Sequence, residues 1–111
     1  MLFDDEKYKD LIRAFHITWD NFPGMARLIR KDNYVLATNK YAEDRGYLPG
    51  QICVKMGDPQ SHKGCRKVFA ITNHIAQVDR PNANKIRLWV PIDDYPDIVV
   101  HFSTEIPEVN K

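Results

Sequence analysis

Asn21-Phe22-Pro23-Gly24-Met25-Ala26-Arg27-Leu28-Ile29-Arg30-Lys31-Asp32-Asn33-Tyr34-Val35-Leu36-Ala37-Thr38-Asn39-Lys40-Tyr41-Ala42-Glu43 is the stretch on which the reading of this chain turns. Pro23 and Gly24 stop whatever precedes them. Residues 25–30 are short and apolar with charged ends, and residues 34–38 are rich in Tyr, Val and Thr, which suit a pleated sheet. Between them Lys31-Asp32-Asn33 offers two residue types that tolerate turn conformations, so the segment predicts strand, tight turn, strand. Asn39 is then placed to cap a short helix through Arg45, its side chain accepting from the first free backbone donors. Gly46 is placed to end that helix in a left-handed conformation.

Working outward toward the N-terminus, Tyr8, Leu11, Ile12, Phe15 and Trp19 recur at the i, i+3, i+4 spacing of an amphipathic helix over residues 6–21, with Lys7, Lys9, Asp10 and Arg13 mostly on other faces. Toward the C-terminus, residues 47–59 are irregular and punctuated by Pro49-Gly50 and Gly57-Asp58-Pro59, after which Ser61 can cap a helix over residues 62–72. A strand is predicted at 74–78, a polar turn with Pro81 at 79–84, and a strand at 85–92 with Ile86, Leu88 and Val90 on one side. Residues 93–97 turn the chain back into a last strand at 98–103. The order is helix, two strands, short helices, three strands. It predicts an α+β fold, a five-stranded antiparallel sheet with the N-terminal helix and short helices on one face and a cavity between sheet and helices. One domain spans residues 1–111, with the helix at about 6–21 and the core at about 22–106.

Composition narrows the function classes. The 16 basic residues are balanced by 15 acidic ones and dispersed, with no stripe of the kind that phosphate neutralisation needs, so nucleic acid is not an expected partner. No apolar run reaches the roughly 20 residues that span a bilayer, and the first ten residues are acidic where a secretory signal is basic and then apolar. A membrane is not expected either, and the expected location is the cytoplasm. Two cysteines are too few for a disulfide framework.

The whole pattern resembles the PAS family. The resemblance rests on the Phe22-Pro23 before the first strand, the hairpin turning on Asp32, the strand ending at Asn39, the helix opening Asn-x-x-Ala at residues 39–42, and Gly46 and Gly50 beyond it. Trp89-Val90-Pro91-Ile92 and Ile98-Val99-Val100-His101-Phe102 are similar to the family's closing hairpin. Thr104-Glu105-Ile106 stands where the family usually has Asp-Ile-Thr. The resemblance implies a sensor of small ligands, cofactors or redox state that dimerises through its N-terminal helix.

Cys53, His62 and Cys65, spaced Cys-x8-His-x2-Cys, form the one sulfur and imidazole cluster in the sequence. If 62–72 is helical, His62 and Cys65 share a face. Thiolate and imidazole suit zinc or iron, and a closed zinc site takes four ligands, for which Asp58 or His74 is a candidate. Two half-buried thiols and a histidine at a helix start are the plain alternative. Haem is a further candidate cofactor; flavin is not expected, because the Asn-Cys-Arg pattern of flavin-adduct photosensors is missing. His16, beside Phe15 and Trp19, reads as a packing or interface residue. His101 points to one face of the last strand, where a PAS-like domain could present it to a cavity. Phe15, Trp19, Phe22, Phe69, Trp89 and Phe102 read as core, part of which can line a pocket.

The adjacent acids Asp4-Asp5, Glu43-Asp44 and Asp93-Asp94 do not converge on a pocket, as general acid/base chemistry requires. No Gly-x-Ser-x-Gly, phosphate-binding Gly-rich loop or His-Glu-x-x-His is present. The expected function is a non-catalytic sensing and interaction module that binds a small ligand near His62, Cys65, Phe69, Trp89 and His101, working as a homodimer through the N-terminal helix. A metal- or haem-binding redox sensor using Cys53, His62 and Cys65 is the second reading, and a small enzyme on the same scaffold the third.

Overall fold

The computed structural model describes residues 7–52 and 65–105. Helix α1 (Lys9–Trp19) leads into β1 (Met25–Arg30) and β2 (Val35–Thr38), followed by α2 (Lys40–Glu43), α3 (Lys67–Asn73), β3 (Gln77–Asn82), β4 (Lys85–Ile92) and β5 (Tyr95–Glu105). The strands form one sheet in the order β2-β1-β5-β4-β3, with all neighbours antiparallel. This is the five-stranded antiparallel α+β plan that the sequence predicts.

The layering departs from the expectation that the N-terminal helix and the short helices share one face. Successive residues of a strand point to opposite faces, and the central strands are buried on both: Leu28 and Val100 pack with Tyr8 and Phe15 of the α1 layer, while Ile29 and Val99 pack with Ala70 of α3. A sheet apolar on both sides needs cover on both. Helix α1 therefore lies on one face, here called outer, and α3 on the other, inner face. Trp19, Phe22 and Phe102 close the outer core at the end of α1, with ring centroids 4.8 to 5.8 Å apart. The α1 stripe is consumed in this packing. Ile17, on the opposite side of the helix, is 75% exposed.

The hairpin forms as its turn residues require. Asn33 takes φ +75°, and the Asp32 carboxylate accepts from the Tyr34 amide and from the Arg30 guanidinium. That guanidinium holds the Asp32 carboxyl below its usual range. Asn39 caps α2 through the Ala42 amide as expected, and does more: buried completely, its Oδ1 also accepts from Ala26 N while its Nδ2 donates to the carbonyls of Trp19 and Gly24. Gly46 takes the left-handed conformation at φ +87°. At Gly24 the constraint is space: a Cβ would lie 2.8 Å from that of Thr104 and closer still to the Ser103 carbonyl.

Two sequence expectations shift. The strand expected at 74–78 is β3 at Gln77–Asn82, and the turn shrinks to Ala83 and Asn84, whose amide donates to Asn82 Oδ1. β3 is an edge strand with a register irregularity between Asp79 and Asn82, so Pro81 and a polar composition are tolerated there. At the other edge, β2 is flanked by residues 50–52: Gln51 O accepts from Val35 N, Val35 O from Gly50 N, and Tyr34 bridges Ile52. The helix expected at 62–72 runs from Lys67 to Asn73, and Cys65 and Arg66 before it are not helical. Lys67 is buried, and its ammonium donates to the Lys31 carbonyl at 2.8 Å, fastening the start of α3 to the end of β1. No helix among the described residues is long and apolar enough to cross a membrane.

Candidate functional site

Register brings distant parts of the sequence into one row on the inner face. Thr38 stands opposite Arg27, Arg27 opposite His101, His101 opposite Trp89, and Trp89 opposite Gln77, so one side chain from each of the five strands lies in line. The next row holds Ser103, Arg87 and Asp79. On the other side of the first row lie Ile29, Val35 and Val99, beneath Ala70 and with Tyr47 and Ile71 at the margin. The inner face thus divides into an apolar part under α3 and a polar part beside it.

Trp89 and His101 form its centre. Their rings stack at 4.7 Å with 4° between planes, and the Arg87 guanidinium lies 5.4 Å from the indole ring. Arg87 is ion-paired with Asp79, its Nε 3.0 Å from Oδ2, and Arg27 lies 5.3 Å from the ring of Tyr47. His101 Nδ1 is 3.0 Å from the Leu88 carbonyl. A carbonyl only accepts, so Nδ1 carries the proton and Nε2 keeps its lone pair. Burial pushes the imidazole pKa down to about 3, with the charge of Arg27 adding to the effect, then those of Arg87 and Lys85, against the Leu88 hydrogen bond. The Trp89 indole N–H is wholly buried and has no hydrogen-bond partner among the described residues.

An acid-stability prediction follows from His101. An unfolded histidine titrates near 6.5 and the folded one near 3, so between these values the unfolded chain binds a proton that the folded chain refuses. Stability is complete above pH 6.5 and declines as the pH falls. The loss reaches about 2 kcal/mol at pH 5, at about 1.4 kcal/mol per pH unit. Urea midpoints at pH 7 and pH 5 should show it, and His101→Gln should remove most of the difference; an equal drop in that variant would place the cause elsewhere.

Of the residues singled out in the sequence, Trp89 and His101 are brought together. Phe69 is exposed, on a different side of α3 from the buried Lys67 and Ala70. Cys53, Asp58 and His62 lie outside the described residues. Cys65 is exposed and precedes α3 rather than sitting in it, so it contributes no helical face to share with His62. His74 caps the C-terminus of α3 at φ +52° and contacts Asp93 at 3.0 Å. Among the described residues no three potential metal ligands stand together. His16 is bonded to Asp20 at 2.8 Å and meets Phe15 edge-on, in keeping with a packing role.

Sequence reasoning missed Arg27, Arg87, Asp79 and Gln77. The signal for Arg87 was available: two residues before Trp89 on a strand, it shares that residue's face. Arg27 likewise shares the phase of Ile29. Only the register across strands could join them.

No family model matches this chain, and no curated protein does. Among solved structures, a sensory box sensor histidine kinase from Vibrio cholerae superposes with a TM-score of 0.66 over 96% of this chain and 97% of that one, at 13% identity. The chain therefore has the sensory-box, PAS-like fold that its sequence pattern resembles.

Proposed function

We propose that the chain is a non-catalytic sensing and interaction module that binds a small ligand against the inner face of its sheet at Trp89 and His101. The observation that supports this reading is the polar row itself. A layer that packs Ile29, Val35 and Val99 without a gap in exposure also carries Arg27, His101, Trp89 and Gln77 across its width. A few convergent polar groups beside an apolar wall are what a small-molecule site presents. The likeness of fold to a sensor kinase's sensory box points the same way.

The test is native mass spectrometry of untagged protein, with melting temperatures measured against a panel of small metabolites. A bound mass or a Tm increase that Trp89→Phe and His101→Gln both reduce is the expected result. A chain that carries nothing and responds to nothing in the panel would remove this reading.

The module works as a homodimer through α1, for which the three-quarters exposed Ile17, facing away from the sheet, is the natural contact. Deleting the helix would strip the outer core, so the discriminating change is Ile17→Glu. It should convert a dimer to a monomer in sedimentation velocity, and a parent chain that is monomeric at high concentration excludes the dimer.

A further inference from the structure

We infer that α1 of one copy seats on the open outer face of β3 and β4 of a second copy, an inference that rests on the α1 dimer reading above and names the surface the helix meets. Helix α1 lies over β2 and β1, so among the described residues the far half of the outer face has no helix above it. In register, Ile86, Leu88 and Val90 of β4 stand opposite Thr104, Phe102 and Val100, and Val78 of β3 stands opposite Leu88. These four share the outer phase with the core residue Val100, yet Ile86, Leu88 and Val90 are half-buried and Val78 is 48% exposed. None of the four belongs to either core. An antiparallel strand that faces water alternates to polar residues on that side. Strand β4 does not: its outer phase is apolar from Ile86 to Ile92.

The occupant that fits this half is a second copy. The outer face is stepped, a helix about 10 Å thick standing over β2 and β1 beside the open β4 and β3. When a second copy is turned about a two-fold axis running parallel to the strands between the two outer faces, the raised half of each comes over the low half of the other. The layers become sheet, two helices side by side, sheet, and the contact is the same from both copies. A two-fold axis across the strands would instead set helix on helix. The side of α1 turned away from its own sheet then meets the partner's strands. Ile17 lies on that side, and the contact of Trp19 with Phe102 puts it at the level of the row that holds Leu88 and Val78. Charge fits the same arrangement. Tyr8 lies against Tyr95, so α1 begins at the end of the sheet that carries exposed Asp93 and Asp94. The axis keeps like ends together, and the exposed start of α1, with Lys7, Lys9 and Arg13 against Asp10 alone, comes over the partner's Asp93 and Asp94.

The experiment uses the full chain with Cys53 and Cys65 replaced by serine, so that only introduced thiols react. Ile17→Cys and Val78→Cys are made separately, mixed, and treated with a short bismaleimide. The expected product is a cross-linked pair of one chain of each kind, with little from either variant alone, because the symmetry sets Ile17 against Val78 and not against its own copy. In sedimentation velocity Val78→Glu should convert dimer to monomer as Ile17→Glu does, with an unchanged melting temperature, since Val78 is a half-exposed residue of an edge strand. Lys9→Glu with Arg13→Glu should weaken the dimer about ten-fold and flatten its dependence on salt. Ile17→Cys that links to itself and not to Val78→Cys overturns this inference and leaves the α1 dimer standing. So does a Val78→Glu chain that stays dimeric where Ile17→Glu is monomeric, or a dimer that the two charge reversals leave no weaker. A parent chain that is monomeric at high concentration overturns both.

Discussion

Trp89→Ala is expected to lower the free energy of unfolding by about 3 to 5 kcal/mol, the range for truncating a large aromatic ring in a core. Trp89 heads the fully buried side chains by volume and touches both halves of the inner face: the apolar cluster with Ile29, Val35, Val99 and Ala70, and the stacked ring of His101. Removing it opens a cavity that neither a β-sheet nor the helix above it can collapse into fully. Trp89→Phe separates the two roles. It keeps most of the ring volume and discards an N–H that has no partner among the described residues, so it should cost about 1 kcal/mol. Urea denaturation of both variants measures this, and an unchanged midpoint in Trp89→Ala would mean that the ring is not packed as described.

Asn39→Ala is the other large effect, about 3 to 5 kcal/mol. One amide side chain satisfies two backbone N–H groups, of Ala26 and Ala42, and two carbonyls, of Trp19 and Gly24, three of the four bonds being buried. Loss of a helix cap alone costs about 1 kcal/mol. The remainder comes from buried backbone groups left without partners, at about 1 to 3 kcal/mol each, less where water can enter. Asn39→Asp is the informative control. Its oxygens can still accept from Ala26 and Ala42, but where Nδ2 donated, a carboxylate would face two carbonyls. It should therefore destabilise nearly as much at pH 7 and recover as the pH is lowered and the carboxyl takes up a proton. An Asn39→Asp variant as stable as the parent at pH 7 would instead assign the whole loss in Asn39→Ala to the bonds that Oδ1 accepts from Ala26 and Ala42.

These two residues also mark how far the sequence could be read. Asn39 was legible as a cap because capping is local, a side chain reaching an amide three residues on; its bonds to Trp19 and Gly24 span 20 and 15 residues and leave no local trace. The hairpin of β1 and β2 and the closing pair β4 and β5 were legible from β-rich runs bounded by turn residues. β3 was displaced because an edge strand pairs on one side only and can be built from Asp79, Arg80, Pro81 and Asn82, a composition that otherwise spells a turn. The helical stripe of α1 was visible, but not that it is consumed by the chain's own sheet, since that depends on β1 and β5 being buried on both faces. For the candidate site, Trp89 and His101 were found from residue type and strand phase. Arg27 and Arg87 were not, because their meaning lies in a register that aligns residues 27, 101 and 89, and registers are set by pairing between strands.

The two borders of the sheet limit how this molecule can meet another. At the start of β2 the backbone of Val35 is already engaged by Gly50 and Gln51, and along β3 a register break coincides with a proline that has no N–H to offer and with the charged residues Asp79 and Arg80. Neither border presents the unbroken ladder of donors and acceptors on which a foreign strand could grow. Two copies cannot readily fuse their sheets into one, and the same features that made β3 hard to recognise guard the chain against the open-ended stacking that turns a small β-rich protein into a fibre.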